Sequence, residues 1–260
     1  GSGSAWVSGQ VVVVGKQILF VDRSKKRIHA LGYVIEADGF QTAELPDIAE
    51  HITGTGIRLG PIGYASRPDP VLYFIRADGA LVALTYFRAQ QVIGFTRRTT
   101  DGTFEAVAVI PHPDGDRDQV WVIVKRTING AVKRYVEYFD DKASEFSARA
   151  WPSLQTDCAK IYDGAATTTI TGLSHLEAKS VDIVADGSVK TAKTVASSQI
   201  TLDDAASKVE VGLHYESKVV TMRPAIEGSV IEGLPRSWDK VFARLLNTIG
   251  GKINGEWLAY

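Results

Sequence analysis

Short runs of β-branched and aromatic residues alternate with polar turns along most of this chain, a pattern of strands and hairpins rather than helices. The clearest instance is QVWVIVKRTINGAVKRYVEYFDD, from Gln119 to Asp141. Val120 to Val124 is an unbroken apolar run, which predicts a strand covered on both faces, because a half-exposed strand alternates. Asn129-Gly130 predicts a two-residue type I′ turn, since both positions need φ > 0 and Asn and Gly reach it at least cost. In the return strand, Ala131 to Phe139, the charged Lys133, Arg134 and Glu137 sit among Val132, Tyr135, Val136 and Tyr138. That places it nearer an edge or a surface.

The residues ahead of this hairpin repeat its layout. Val11 to Val14, Ile18 to Val21 and Ile28 to Ile35 read as strands, with Gly15-Lys16-Gln17 and Asp22 to Lys26 as turns. A polar stretch, Glu36 to Gly39, leads to Leu45-Pro46, and Asp47 is placed to cap a short helix ending at Thr53 before Gly54. Further strands are expected at Ile57 to Ile62, Val71 to Ile75, Ala80 to Tyr86, Val92 to Phe95 and Phe104 to Ile110.

Three segments then align: ILFVDRSKKRIHALGY, VLYFIRADGALVALTY and VWVIVKRTINGAVKRYVEY. Each is an apolar run, a polar turn and a strand closing on tyrosine, and Tyr33, Tyr86 and Tyr138 lie 53 and 52 residues apart. A period of roughly 50 residues in an all-β chain points to propeller blades of about four strands that bury their faces against one another. Pattern alone leaves a propeller-like stack and a general sandwich both open. Three units do not close a ring; the remainder must come from residues outside this chain, from its C-terminal tail or from other subunits.

After Asp141 the register changes. Lys142 to Ala150 is mixed, Trp151-Pro152 is a break, and a Thr-, Ser- and Val-rich region follows. Strands are expected at Thr167 to Thr171, Ser180 to Ala185, Ser188 to Val195, Gln199 to Leu202, Lys208 to Gly212 and Lys218 to Met222. Asp186-Gly187 is a tight hairpin turn, and Ser174 with Glu177 matches a capping box. So many short strands predict a small barrel of the OB-like sort. The expected organisation is a propeller-like β-sheet domain over 5–150 and a small β-barrel domain over 151–229, with 230–260 returning to the first. In that tail Trp238, Val241, Phe242, Leu245, Leu246 and Ile249 fall at helical spacing before Gly250-Gly251.

Composition narrows the function classes. With 260 residues, 45% of them hydrophobic and 23% charged, the chain can build an ordinary core. A net charge of −1 excludes a globally basic nucleic-acid binder and offers nothing to an anionic membrane surface. Cys158 is the only cysteine, so neither an intrachain disulfide nor a Cys-rich zinc site is possible. No apolar run approaches the roughly 18 residues a crossing helix needs. The opening GSGSAW lacks the basic-then-apolar order of a signal peptide, and Gly1 to Ser4 read as an appended linker.

Candidate chemistry is sparse. Asp114, Asp116 and Asp118 alternate in HPDGDRD as at the start of a calcium loop, but the glycine and the bidentate glutamate such a loop needs are replaced by Gln119 and Lys125. A solvated loop is the preferred reading. His29, His51, His112, His175 and His214 lie far apart, with no zinc spacing. Asp140-Asp141 and Asp203-Asp204 are read as solvated strand ends, although two glycosidase carboxylates need only meet in space. Arg97-Arg98 and Lys125-Arg126 are assigned to solvated surface, and Trp121 to the core. No nucleophile elbow, phosphate loop or dinucleotide fingerprint is present. Catalytic, cofactor-binding and metal-binding residues are therefore all expected to be none.

At VLYFIRADGALVALTYFRAQQVIGFTRRTTDGTFEAVAVI and at the Gln119–Asp141 hairpin the chain resembles the tail tubular protein B family, the nozzle proteins of short-tailed phages and prophages. GLSHLEAKSVDIVADGSV and ITLDDAASKVEVGLHY look like the part that follows in those proteins. The resemblance implies an all-β virion protein combining a β-propeller with small β-barrels. It implies a homo-oligomeric ring of six below the portal and the tail adaptor protein, with DNA passing down its axis. Family members are longer, so this chain corresponds to their C-terminal part, and their segment matching Lys240 to Ile253 reads as a strand, which is preferred here to the helical period. The expected protein is a structural subunit, not an enzyme, needing no cofactor and located in the virion, or in host cytoplasm before assembly. The alternative is a carbohydrate-binding or carbohydrate-cleaving β-protein of a phage tail tip.

Overall fold

The computed structural model of the chain describes residues 11–35, 38–45, 50–57, 60, 62–87, 90, 92–140, 154–220, 242–244 and 251–257. It is all-β, built from antiparallel sheets in a partial propeller-like arrangement. Sheet 1 contains β1 (Val12–Val14), β2 (Gln17–Val21), β3 (Ile28–Val34) and β4 (Gly39–Glu44). Sheet 2 contains β5 (Gly63–Ala65), β6 (Val71–Ile75), β7 (Leu81–Phe87) and β8 (Val92–Arg98). Sheet 3 contains β9 (Thr103–Pro111), β10 (Asp118–Ile128) and β11 (Ala131–Tyr138). Each is a meander in which strands neighbour in chain order, and a single-turn helix α1 (Glu50–Thr53) lies between sheets 1 and 2.

Sheet 2 is covered on both sides, and the side-chain period of two decides by what. Leu72, Phe74, Val82, Leu84 and Tyr86 point one way and form a core with Leu19, Ile28 and Ala30 of sheet 1. Tyr73, Ile75, Leu81 and Ala83 point the other way and form a core with Phe104, Val107, Val120, Val122 and Val124 of sheet 3. The continuous apolar runs of β6 and β7 are those of a doubly buried sheet. Sheet 3 differs from expectation. In β10 Val120, Val122, Val124, Arg126 and Ile128 are buried, whereas Ile123, Lys125 and Thr127 are exposed, so the run Val120 to Val124 is covered on one face only.

The two seams share a hydrogen bond. The Ile57 amide, where the chain enters sheet 2, donates at 2.6 Å to the Lys25 carbonyl in the β2–β3 turn of sheet 1. The Phe104 amide, on the first strand of sheet 3, donates at 2.8 Å to the Gly79 carbonyl in the β6–β7 turn of sheet 2. A buried arginine recurs beside it. Arg76 grips Asp78 with two nitrogens at 2.8 and 3.1 Å and donates to Thr55. Arg126 grips Glu137 at 2.8 Å twice and donates to Thr100 at 2.6 Å. In both, the threonine belongs to the connection arriving from the preceding sheet. Sheet 1 carries Asp22 in this place, its amide bonded to the Arg27 carbonyl as that of Arg76 is to Ala80.

The tyrosine marker needs one correction. Tyr33 and Tyr86 fall on equivalent faces of β3 and β7, but Tyr138 faces outward while the next residue, Phe139, packs into the core between sheets 2 and 3. A one-residue shift moves a side chain to the opposite face, so the structural period is 53 at both steps, ending on Phe139. Two strand positions also differ from expectation. Gly39–Glu44 is a strand despite its polar sequence, because β4 is an edge strand with side chains largely in solvent. In place of a strand from Ile57 to Ile62, Ile57 makes a single bridge to Arg76 and β5 starts at Gly63.

The residues from 154 to 213 have a separate core. β12 (Asp157–Thr171), β13 (Ser180–Ala185), β14 (Ser188–Thr194) and β15 (Gln199–Leu213) form one sheet in the order β12-β15-β13-β14 over Ile170, Leu173, Leu176, Ile183, Val209 and Val211. The expected OB-like barrel is thus an open sheet, with no closed barrel among the described residues. Four strands stand where six were expected: Gln199 to Leu202 and Lys208 to Gly212 are parts of one long bulged strand, and of the strand expected at Lys218 to Met222 the described residues Lys218 to Val220 are exposed and not in a strand. Asp186 and Gly187 take φ 46° and 80°, and Asn129 and Gly130 take 48° and 73°, as type I′ turns require. Ser174 and Glu177 form no capping box. Ser174–Leu176 is a single 3₁₀ turn, and Glu177 instead accepts from the Ser197 and Ser198 amides at 2.9 and 2.6 Å.

Of the tail, Phe242 to Arg244 are neither helix nor strand, and β16 (Lys252–Ile253) pairs with β17 (Glu256–Trp257) across Asn254-Gly255. The rest of the 238–249 pattern, the Asp47 cap, the 142–152 segment and Met222 lie outside the described residues.

Candidate functional site

The residues singled out by sequence are mostly dispersed. His112, Asp114 and Asp116 do converge, their ligand atoms lying within 4.8 Å of one another. The cation among them is already a side chain, because Arg117 reaches Asp116 at 2.6 Å, His112 at 3.1 Å and Asp114 at 3.4 Å. Asp118 turns away and accepts from the Ser66 and Arg67 amides at 2.6 and 3.1 Å, tying β10 to the β5–β6 loop. His214 pairs with Asp182, His29 stacks on Phe20, and Asp203 pairs with Lys193. Arg98 lies over the Phe139 ring at 4.9 Å. Trp121 is only half-buried, on the outward face of β10 against Tyr138, and so is not the core residue expected.

Arg126 carries the largest revision. Expected on solvated surface, its side chain is 1% exposed. The alternation of β10 puts it on the inward face at the end of the strand, where sheet 3 meets the sheet of residues 157–213. Besides Glu137 and Thr100 it donates to the Asp101 carbonyl at 2.9 Å and lies 3.6 Å from Asp157 at the start of β12. Thr100 passes the contact on by donating to Asp157, and Lys179 bonds Asp101 at 2.6 Å. Burial alone would lower the Arg126 pKa; the Glu137 hydrogen bond and the surrounding acids outweigh it and raise it. The guanidinium therefore stays charged at every working pH.

A second buried acid completes this junction. Glu210, 2% exposed, uses one oxygen to accept from the Gln155 amide, the Thr156 amide and the Thr156 hydroxyl, each at 2.7 Å. Gly212 lets the strands come this close, since a Cβ there would lie 2.6 Å from the Asp157 carbonyl oxygen.

The thiol and imidazole here are not arranged for nucleophilic chemistry. Cys158 Sγ lies 3.6 Å from a Glu137 oxygen, and burial first, then that carboxylate, push the thiol up to about 12. His175 is kept neutral to lower pH than usual by burial, and its hydrogen bond goes to the Cys158 backbone. A nucleophilic cysteine needs the opposite environment. Iodoacetamide at pH 8 is expected to alkylate Cys158 about a thousandfold more slowly in the folded chain than in urea, because the thiolate fraction falls with each unit of pKa. Equal rates read by intact-mass spectrometry would contradict this placement.

The remaining feature is a pair of open apolar faces, one at each end of the stack. On sheet 3, Ile110, Ile123, Val132, Val136 and Tyr138 point away from sheet 2, with Val136 70% exposed. On sheet 1, Val13, Tyr33 and Phe40 point away from sheet 2, with Phe40 74% exposed. Compared with known proteins, the chain matches no protein-family model and no curated protein.

Proposed function

We propose that this chain is a structural subunit of a phage tail nozzle, akin to tail tubular protein B, which self-associates and conducts DNA. The observation that carries this reading is the stack itself: a middle sheet covered on both faces by like sheets, and end sheets whose outward faces are as apolar as an interface. The buried ionic junction adds to it, since its charges hold two sheets in fixed relation. In the particle the subunit forms a ring of six, contacts the tail adaptor protein and lets DNA pass without reading its sequence; its place is the virion. Mass photometry of the protein, alone and mixed with the adaptor, tests this. Rings of six are expected, and persistent monomers in both samples would contradict it.

A second reading, carbohydrate binding, has one observation in its favour. A cleft of about 470 Å³ between sheets 1 and 2 is lined by Tyr64, Tyr86 and Phe87 with Pro68, Pro70 and Lys16. Aromatic and proline faces suit sugar rings, and this lining includes no carboxylate pair for cleavage. A glycan array probed with the wild-type chain and with Tyr64→Ala decides it: signal lost in the variant supports this reading, and a blank wild-type array removes it.

A further inference from the structure

The cleft between sheets 1 and 2 has two walls of different character. One is aromatic, with Tyr64 from β5 and Tyr86 and Phe87 from the end of β7. The other is the turn from β1 into β2, which brings Lys16 and Gln17 to the same space. At about 470 Å³ the cleft falls within the roughly 300–1,000 Å³ of small-ligand sites. It has room for a sugar or two, not for a folded partner.

The polar side chains on the turn offer donors. Lys16 is exposed, carries three donors and no acceptor, and has no acid paired with it among the described residues. Gln17 uses its carbonyl oxygen on the Tyr86 hydroxyl, which donates to Oε1 at 2.6 Å. That bond fixes the carboxamide and leaves its Nε2 to donate elsewhere. Acids are kept away. No carboxylate lines the cleft, and the nearby Asp118 has one oxygen already accepting from the Ser66 amide, the Ser66 hydroxyl and the Arg67 amide at 2.6, 3.0 and 3.1 Å. The cleft therefore sets one unpaired positive charge beside a wall of ring faces.

We infer that this cleft binds an anionic saccharide: a pyranose lays its C–H face on the aromatic wall, and its carboxylate or sulfate meets the Lys16 ammonium and the Gln17 amide. The π face of each ring is its negative side, which favours the weakly positive C–H groups of a sugar. The ammonium is a point charge that takes either oxyanion. The inference rests on the carbohydrate reading of this cleft and names the class of ligand. A polynucleotide also offers rings and anions, but tracking its backbone takes a groove of several basic groups, and Lys16 is the one cation in this lining.

The test is a glycan array carrying neutral, uronate-bearing and sulfated saccharides, the carboxyl-reduced counterparts of the uronates, and oligo-dT, probed with the whole chain. Wild type is expected to bind the acidic saccharides and not the carboxyl-reduced ones; signal on uronates alone or on sulfated sugars alone tells which oxyanion the cleft takes. Lys16→Gln is expected to lower that affinity about tenfold, as loss of a hydrogen bond to a charged group does, and Lys16→Arg to keep it. Lys133→Gln removes the same charge from the exposed face of β11 and is expected to bind like wild type. Far-UV circular dichroism confirms that each variant is folded, both lysines being solvent-exposed.

Neutral and acidic saccharides bound equally, with Lys16→Gln unchanged, would overturn the inference and leave the carbohydrate reading standing. A blank wild-type array overturns both. Binding to oligo-dT alone overturns the inference in favour of nucleic acid, and equal losses in Lys16→Gln and Lys133→Gln overturn it in favour of diffuse charge attraction.

Discussion

Replacing Arg126 by methionine is expected to cost the fold about 3–5 kcal/mol in urea denaturation, the range for breaking a buried ion pair from one side. Glu137 loses both of its short hydrogen bonds, and Thr100, the Asp101 carbonyl and Asp157 lose their shared cation. An acid left in a desolvated site costs more than the pair contributed, so Arg126→Met with Glu137→Leu is expected to be milder than Arg126→Met alone. Arg126→Lys is not a rescue, because one ammonium cannot replace a fork that serves five oxygens from three chain segments. A single variant within 1 kcal/mol of wild type would mean that the junction is wetter than its geometry.

Phe74→Ala is expected to cost about 3–5 kcal/mol, as burial of a phenyl group with little room for collapse predicts. Its ring is 1% exposed and lies between sheets 1 and 2. The loss should be local. Hydrogen exchange is expected to quicken across β2, β3, β6 and β7 while β13 and β15, over their own core of Leu173, Ile183, Val209 and Val211, stay protected. Uniform quickening would show that the two cores unfold as one.

Much of this was legible in the residues, and what was not has physical causes. Apolar runs and Asn-Gly or Asp-Gly turns placed most strands, because a type I′ turn is a local property of two residues. The repeat could be counted from tyrosines, but Tyr138 stood in for Phe139, since aromatics at adjacent positions are indistinguishable until the pleat assigns each a face. Val120 to Val124 resembled a doubly covered strand because its outward residues are also apolar; the structure leaves them open at the end of a stack. Arg126 read as one half of a solvated basic pair. Strand alternation through Val120, Val122 and Val124 was the signal that placed it inside, whereas its partners Thr100 and Asp157 come from distant segments that no spacing brings together. The 199–213 strand was split in two because its bulged middle carries Asp203, Asp204 and Ser207, residues that ordinarily mark turns.

The central claim, that one sheet is covered by a neighbour on each face, is tested most directly by thermal unfolding of Leu81→Asn and Leu84→Asn. These residues sit on one strand, fully buried and facing opposite ways, Leu81 toward sheet 3 and Leu84 toward sheet 1. Both variants are expected to melt well below wild type, since each places an amide without partners in an apolar seam. If either variant melts with wild type, that face of sheet 2 lies in water and the stack does not exist.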